Sequence, residues 1–90
     1  MEFDWSVYQS EKVTREEVAE SYEDAFSLRF LPPAGGSAEQ NRFFCLGRTL
    51  SNKGLFFGYS SNGKLVKVIF SREMSPEEEF FYQRKMRESL

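Results

Sequence analysis

Six cationic side chains, Arg42, Arg48, Lys53, Lys64, Lys67 and Arg72, lie between positions 42 and 72 of this sequence, and no acidic residue interrupts them. Such groups do one kind of chemistry well, the binding of phosphate: a guanidinium engages two oxygens as a fork, and an ammonium acts as a point charge. The other six cations and all fourteen acids lie elsewhere, and the formal net charge is −2, so bulk composition does not account for the basic run. RNA is the anionic partner to which a basic stretch of this kind points first. Other chemistries are excluded. With no histidine, imidazole acid–base catalysis and histidine metal sites are ruled out, and the single cysteine, Cys45, permits neither an internal disulfide nor a cysteine zinc site. Cys45 reads as a small buried apolar residue, and neither a metal site nor a cofactor is expected.

The elements that must position these cations follow from pattern. Ninety residues make one domain, 1–90, and ten Phe, four Tyr and one Trp supply the bulk that a small core needs. Met1–Trp5, in which Phe3 and Trp5 alternate with polar residues, fits a short first strand. Thr14-Arg15-Glu16-Glu17 has the form of a capping box, and Val18, Tyr22, Ala25 and Phe26 follow at helical spacing. The acids Glu16, Glu20, Glu23 and Asp24 then form a solvated face. Leu28–Leu31 fits another short strand, and Pro32–Ser37 a loop. Three strands come next, Arg42–Thr49, Leu55–Ser60 and Lys64–Ser71, joined by turns at Ser51–Gly54 and at Asn62-Gly63, the latter the strongest short hairpin signal. Alternation in the third strand places Val66, Val68 and Phe70 on one face, with Leu65, Lys67, Ile69 and Ser71 on the other. Ser75, Pro76 and Glu78 open a final helix whose apolar side carries Phe81, Tyr82 and Met86. The expected class is α+β, an antiparallel sheet built on a meander over residues 42–71 and packed with two helices. Residues 1–41 carry three cations and nine acids, and residues 42–90 nine and five. A fold that keeps these halves apart has an acidic and a basic side, unless the two face each other. No stretch approaches the length of a membrane span, and the N-terminus lacks a signal-peptide core, so a cytoplasmic protein is expected.

A series of spaced residues resembles one family. Leu46-Gly47-Arg48-Thr49 ends a strand, Tyr59 closes the next, and Val66-Lys67-Val68-Ile69-Phe70-Ser71-Arg72 forms the third. Arg72-Glu73-Met74-Ser75-Pro76-Glu77-Glu78 follows, with Tyr82 four residues on. Together with Glu39-Gln40-Asn41-Arg42, Phe3-Asp4-Trp5 and Val13 through Asp24, this ordered set is similar to the BrnT family of bacterial toxins, small ribonucleases related in fold to RelE. The resemblance implies a RelE-like fold for a BrnT-like domain spanning 1–90. It also implies metal-independent RNA cleavage that inhibits translation, and a place in a type II toxin–antitoxin pair. Its partner would be a BrnA-like ribbon–helix–helix antitoxin, through which alone the protein would act on DNA.

Such a ribonuclease must deprotonate a 2′-hydroxyl, stabilise the charge that builds on phosphorus and protonate the leaving 5′-oxygen. On the matching positions Arg72 is the phosphate clamp, Lys67 a second cation and Tyr82 a proton donor or a stacking surface; Arg42 and Arg48 are phosphate contacts outside the reacting centre. Each has a structural alternative. Arg72 can pair with Glu78 and orient the helix, Lys67 can extend past an apolar face to solvent, Tyr82 can be core, and Arg42 and Arg48 can be solvated strand ends. Net acidity, Glu79 where many family members carry a cation, and a shortened segment between Trp5 and Val13 favour a second reading. In it the chain is a catalytically decayed module that binds RNA or a protein partner without cleaving.

Overall fold

Thr14 starts the first helix as its sequence predicts. Its hydroxyl accepts the Glu17 amide at 3.1 Å while the Glu17 carboxylate accepts the Thr14 amide at 2.9 Å. That exchange satisfies backbone donors that a helix start leaves without partners. In the computed structural model, which describes residues 2–10, 12–30 and 42–89, helix α1 runs Arg15–Tyr22. The predicted loop Pro32–Ser37, the Glu39-Gln40-Asn41 segment, Met1 and Leu31 lie outside the described residues. Helix α1 stops before Ala25 and Phe26, which the apolar spacing had included. Asp24 is the reason: its Oδ1 accepts the Phe26 amide at 3.0 Å, a local turn that competes with another helical turn.

The strands are β1 (Glu2–Asp4), β2 (Leu28–Phe30), β3 (Arg42–Arg48), β4 (Gly54–Ser61) and β5 (Leu65–Glu73), and helix α2 spans Pro76–Ser89. They form one five-stranded sheet in the order β1-β5-β4-β3-β2. The β3–β4–β5 meander is the predicted one, with Gly63 at φ 94° in the second turn and Asn52 at φ 71° in the first, both left-handed conformations that these residue types tolerate best. β2 adds antiparallel to β3, but β1 runs parallel to β5. The sheet is therefore mixed, where a wholly antiparallel one was expected. The meander occupies one edge of β5, and the N-terminal strand takes the other, with α1 carrying the chain across to β2. The class is α+β.

Each face of the sheet is packed by one helix. On the first face Cys45, Leu55, Phe57, Tyr59, Val66 and Val68 are buried with Val18 and Tyr22 of α1. On the second, Leu46 and Met74 are buried with Tyr82 of α2, joined by Phe26, Leu28, Phe56 and Met86. Ser75 caps α2: its hydroxyl accepts the Glu78 amide at 3.2 Å, and the Glu78 carboxylate accepts the Ser75 amide at 2.8 Å.

One irregularity decides which side chains share the second face. Gly58 pairs with Phe70, but Tyr59 pairs with Val68, so Ile69 is an extra residue in β5. Such a bulge reverses the side-chain alternation beyond it. Strict alternation had put Phe70 with Val66 and Val68, and Ser71 with Lys67. In the structure Ser71 lies with the first core, 2.6 Å from the Tyr8 hydroxyl, while Phe70 turns to the face of Lys67 and meets the rings of Phe44 and Phe56.

Candidate nucleic-acid interface

The bulge gives the second face an ordered grid. Across β3, β4 and β5, Arg42 pairs with Ser60 and Ser60 with Lys67; Phe44 with Gly58 and Gly58 with Phe70; Leu46 with Phe56 and Phe56 with Arg72. Side chains directly opposite on neighbouring strands point the same way. Lys67 and Arg72 therefore share this face, although an odd and an even position five apart would face opposite ways in a regular strand. Their partners in β4, Ser60 and Phe56, are four positions apart, so they stand about 13 Å apart along the strand direction. Arg42 and Lys67 are two strand spacings apart, about 10 Å. Between the two cationic ends lies an aromatic floor, in which Phe44 and Phe56 stack with centroids 5.4 Å apart.

The basic run does not form one uniform patch. Among the described residues, Arg48 is held in an ion pair with Glu79, Lys53 with Glu17 and Arg72 with Glu78. The acidic and basic halves of the chain thus meet in part: Glu17 and Glu20 of α1 hold the β3–β4 turn, Glu20 by accepting the Leu50 amide at 3.1 Å. Lys67, half-buried, makes no ion pair among the described residues and is opposed by Asp4 across the β1–β5 register. Asp4 is itself held below the usual carboxylate range, first by the Ser6 amide and only lastly by the Lys67 charge.

Arg72 donates both terminal nitrogens to the Glu78 carboxylate at 2.8 Å and lies over the Phe56 ring, 4.4 Å from its centroid. The carboxylate occupies the fork that a phosphate would fill. The Arg72 guanidinium, followed by the Ser75 amide, pulls the Glu78 carboxyl below its ordinary value. A depressed folded value means that Glu78 contributes stability above the carboxyl's unfolded range and loses it as pH falls through the folded value. Glu78→Gln is therefore expected to lower stability at pH 7 by about 1 kcal/mol and to flatten the acid side of the stability profile below about pH 4.5. Chemical denaturation at a series of pH values reads both effects; parallel profiles for the two proteins would contradict this.

Tyr82 is only 1% exposed, and its hydroxyl donates to Asp24 Oδ2. Burial, then the bond to Asp24, drives that phenol well above its ordinary value, so it holds its proton firmly. Asp24 Oδ2 also accepts the Arg48 amide at 2.9 Å, and the Arg48 guanidinium sits 5.2 Å from the Tyr82 ring centroid, bound to Glu79 and to Asn52. Asp24 is the hub that fastens α2 to the end of β3. A pocket of about 520 Å³ opens beside it, walled by Glu20, Glu23 and Asp24 as well as Arg48, a lining that repels phosphate. Cys45 is buried beneath α1, and burial raises its thiol to about 12, which leaves no thiolate for nucleophilic chemistry near neutral pH. No three His, Cys, Asp or Glu side chains among the described residues come together as a metal-ligand set. No helix among them is long and apolar enough to cross a membrane.

The chain matches no protein-family model and no curated protein. The geometry therefore carries the functional reading. Of the five residues singled out from sequence, the structure groups Arg42 and Lys67 at one end of the aromatic floor and Arg72 at the other. Arg48 and Tyr82 lie apart, on the Asp24 hub. Sequence reasoning missed Phe44 and Phe70 because strict alternation put Phe70 on the opposite face. It missed Asp24 by placing it on the solvated face of a longer helix.

Proposed function

We propose that this chain is an RNA-directed protein of RelE-like fold, the ribonuclease toxin of a type II toxin–antitoxin pair. It acts in the cytoplasm without a metal and is held in check by a BrnA-like ribbon–helix–helix antitoxin. The observation that carries the RNA part of this reading is the second sheet face, where Arg42, Lys67 and Arg72 surround a floor of phenylalanine rings. Phosphates meet the cations, and the rings offer apolar contact to bases. In cleavage, Arg72 would exchange the Glu78 carboxylate for a phosphate, and the freed carboxylate would take the 2′-hydroxyl proton as that oxygen attacks phosphorus. Lys67 would add positive charge as the phosphorane-like state forms, and the 5′-oxygen would leave with the proton that Glu78 returns. Tyr82, buried and committed to Asp24, would not be the proton donor that its sequence position suggests, and would only hold α2 in place. Inhibition of translation follows from loss of the RNA.

One observation favours a second reading, RNA binding without cleavage: Arg72 is already saturated by Glu78, and the Tyr82 hydroxyl is buried and committed to Asp24. One assay separates the two. Purified protein is incubated with RNA beside Lys67→Ala and Arg72→Ala variants, and cleavage and retention of RNA are followed together. The ribonuclease reading expects the wild type to cut and each variant to cut on the order of 100-fold more slowly. RNA retained but uncut by all three supports the binding module, and equal cutting by all three would assign the activity to a contaminant.

A further inference from the structure

We infer that Phe30, Phe44 and Phe70 form a stacking floor for unpaired bases, and that the RNA this protein takes is single-stranded. The inference rests on the proposed RNA-directed function and narrows its substrate. None of the three rings belongs to either core: the first gathers around Val18 and Phe57, the second around Leu46 and Tyr82. Phe30 is 39% exposed, and Phe44 and Phe70 are half-buried. They touch one another, Phe30 to Phe44 at 6.3 Å between centroids and Phe44 to Phe70 at 6.4 Å, so the row crosses the sheet from β2 to β5. Gly58 keeps the middle of the row low. A Cβ there would come 2.5 Å from Phe70 Cε1, so the missing side chain is what lets that ring lie down across β4. The fourth ring, Phe56, is taken up by Arg72 above it and by the α2 core.

Folding alone does not require an apolar row of this kind on a sheet face. Charge complementarity selects its occupant. Arg42 and Lys67 flank the row on one side and Arg72 on the other, with Ser60 as the only other side chain of the grid between Arg42 and Lys67. An apolar centre with cationic flanks fits a polymer whose planar faces are apolar and whose backbone is anionic. Only an unpaired strand offers those faces, because in a duplex each base is already stacked on its neighbours. A sheet of this width carries two or three bases in RNA binders that use a sheet face. Stacking tolerates any base, so the floor selects strandedness and leaves sequence largely unread.

The test uses the whole protein and a short single-stranded RNA carrying 5-iodouridine, with the same sequence as a duplex for comparison. Irradiation of the complex is expected to join uridine to Phe44 and Phe70. These fall in separate tryptic peptides, Phe43–Arg48 and Val68–Arg72, which mass spectrometry distinguishes. Phe44→Leu/Phe70→Leu keeps apolar bulk and removes the rings, and its melting curve checks that it folds. It is expected to bind single-stranded RNA about 10-fold or more weakly, and the wild type is expected to prefer the single strand to the duplex. Wild-type affinity in the folded leucine variant overturns the stacking floor, and if Arg42→Ala/Lys67→Ala still weakens binding, the RNA-directed reading survives without it. Equal affinity for strand and duplex also overturns the floor. So does a dimer in sedimentation that the leucine variant dissociates, which would assign the row to a second copy of the chain. Absence of any RNA binding by the wild type overturns both inferences.

Discussion

Gly47→Ala is expected to destabilise the protein by about 3 kcal/mol, a large share of what a domain of this size possesses. Gly47 lies in β3 opposite Leu55, on the face that α1 covers. A Cβ at this position would overlap the carbonyl oxygen of Ser21 and come 3.0 Å from its carbonyl carbon. Both are backbone atoms, so no rotamer relieves the contact. Ser21 is fully buried in the last turn of α1, its hydroxyl donated to the Val18 carbonyl at 2.9 Å. Either α1 lifts or β3 bows away. Lifting α1 exposes Val18 and Tyr22, each worth about 1.5–3 kcal/mol when buried. Gly58→Ala is the natural control: its new methyl would meet the edge of the Phe70 ring, which can turn aside. Urea denaturation of both variants checks the contrast. A Gly47→Ala protein within 1 kcal/mol of wild type would mean that α1 does not approach β3 as closely as described.

The parts of this fold that sequence makes legible are those settled by neighbours in the chain. Both capping boxes, Thr14 with Glu17 and Ser75 with Glu78, involve side chains reaching three residues along, so their residue types announce them. The Asn62-Gly63 turn is local in the same sense, since Gly63 adopts the positive φ that such a turn needs. The bulge at Ile69 is different. No glycine or proline within β5 marks it, and only the register of β4 against β5 shows that one residue is surplus. That single residue decides whether Phe70 joins the core or the aromatic floor, and whether Lys67 and Arg72 share a face. The Arg48–Glu79 pair spans 31 residues, and the bond from Tyr82 to Asp24 spans 58, so neither leaves a local signature. The parallel pairing of β1 with β5 is long-range as well. The basic run was plain in the sequence, but which of its members face the aromatic floor and which lie on the Asp24 hub depends on these distant contacts.

The second large effect concerns that division. Arg42→Ala/Lys67→Ala removes the two cations at one end of the floor without touching either core, since neither residue is among the buried positions. If each contributes about 1 kcal/mol to a phosphate contact, RNA affinity falls roughly 30-fold while the folded state persists. Arg48→Ala provides the comparison. Its guanidinium is bound to Glu79 and Asn52 beside an acidic pocket, so its loss is expected to weaken RNA binding far less than the double change does.

The salt dependence of RNA binding tests the sheet-face site most directly, because it counts phosphate contacts while leaving the fold alone. A fluorescent single-stranded RNA is titrated with wild type and with Arg42→Ala/Lys67→Ala at several salt concentrations. Each phosphate neutralised on a single strand contributes about −0.7 to the slope of log affinity against log salt. A shallower slope is expected for the variant, by about 1.4, together with the roughly 30-fold loss at low salt. Identical slopes and affinities for the two proteins would contradict it and remove RNA from the face of Phe44, Lys67 and Phe70.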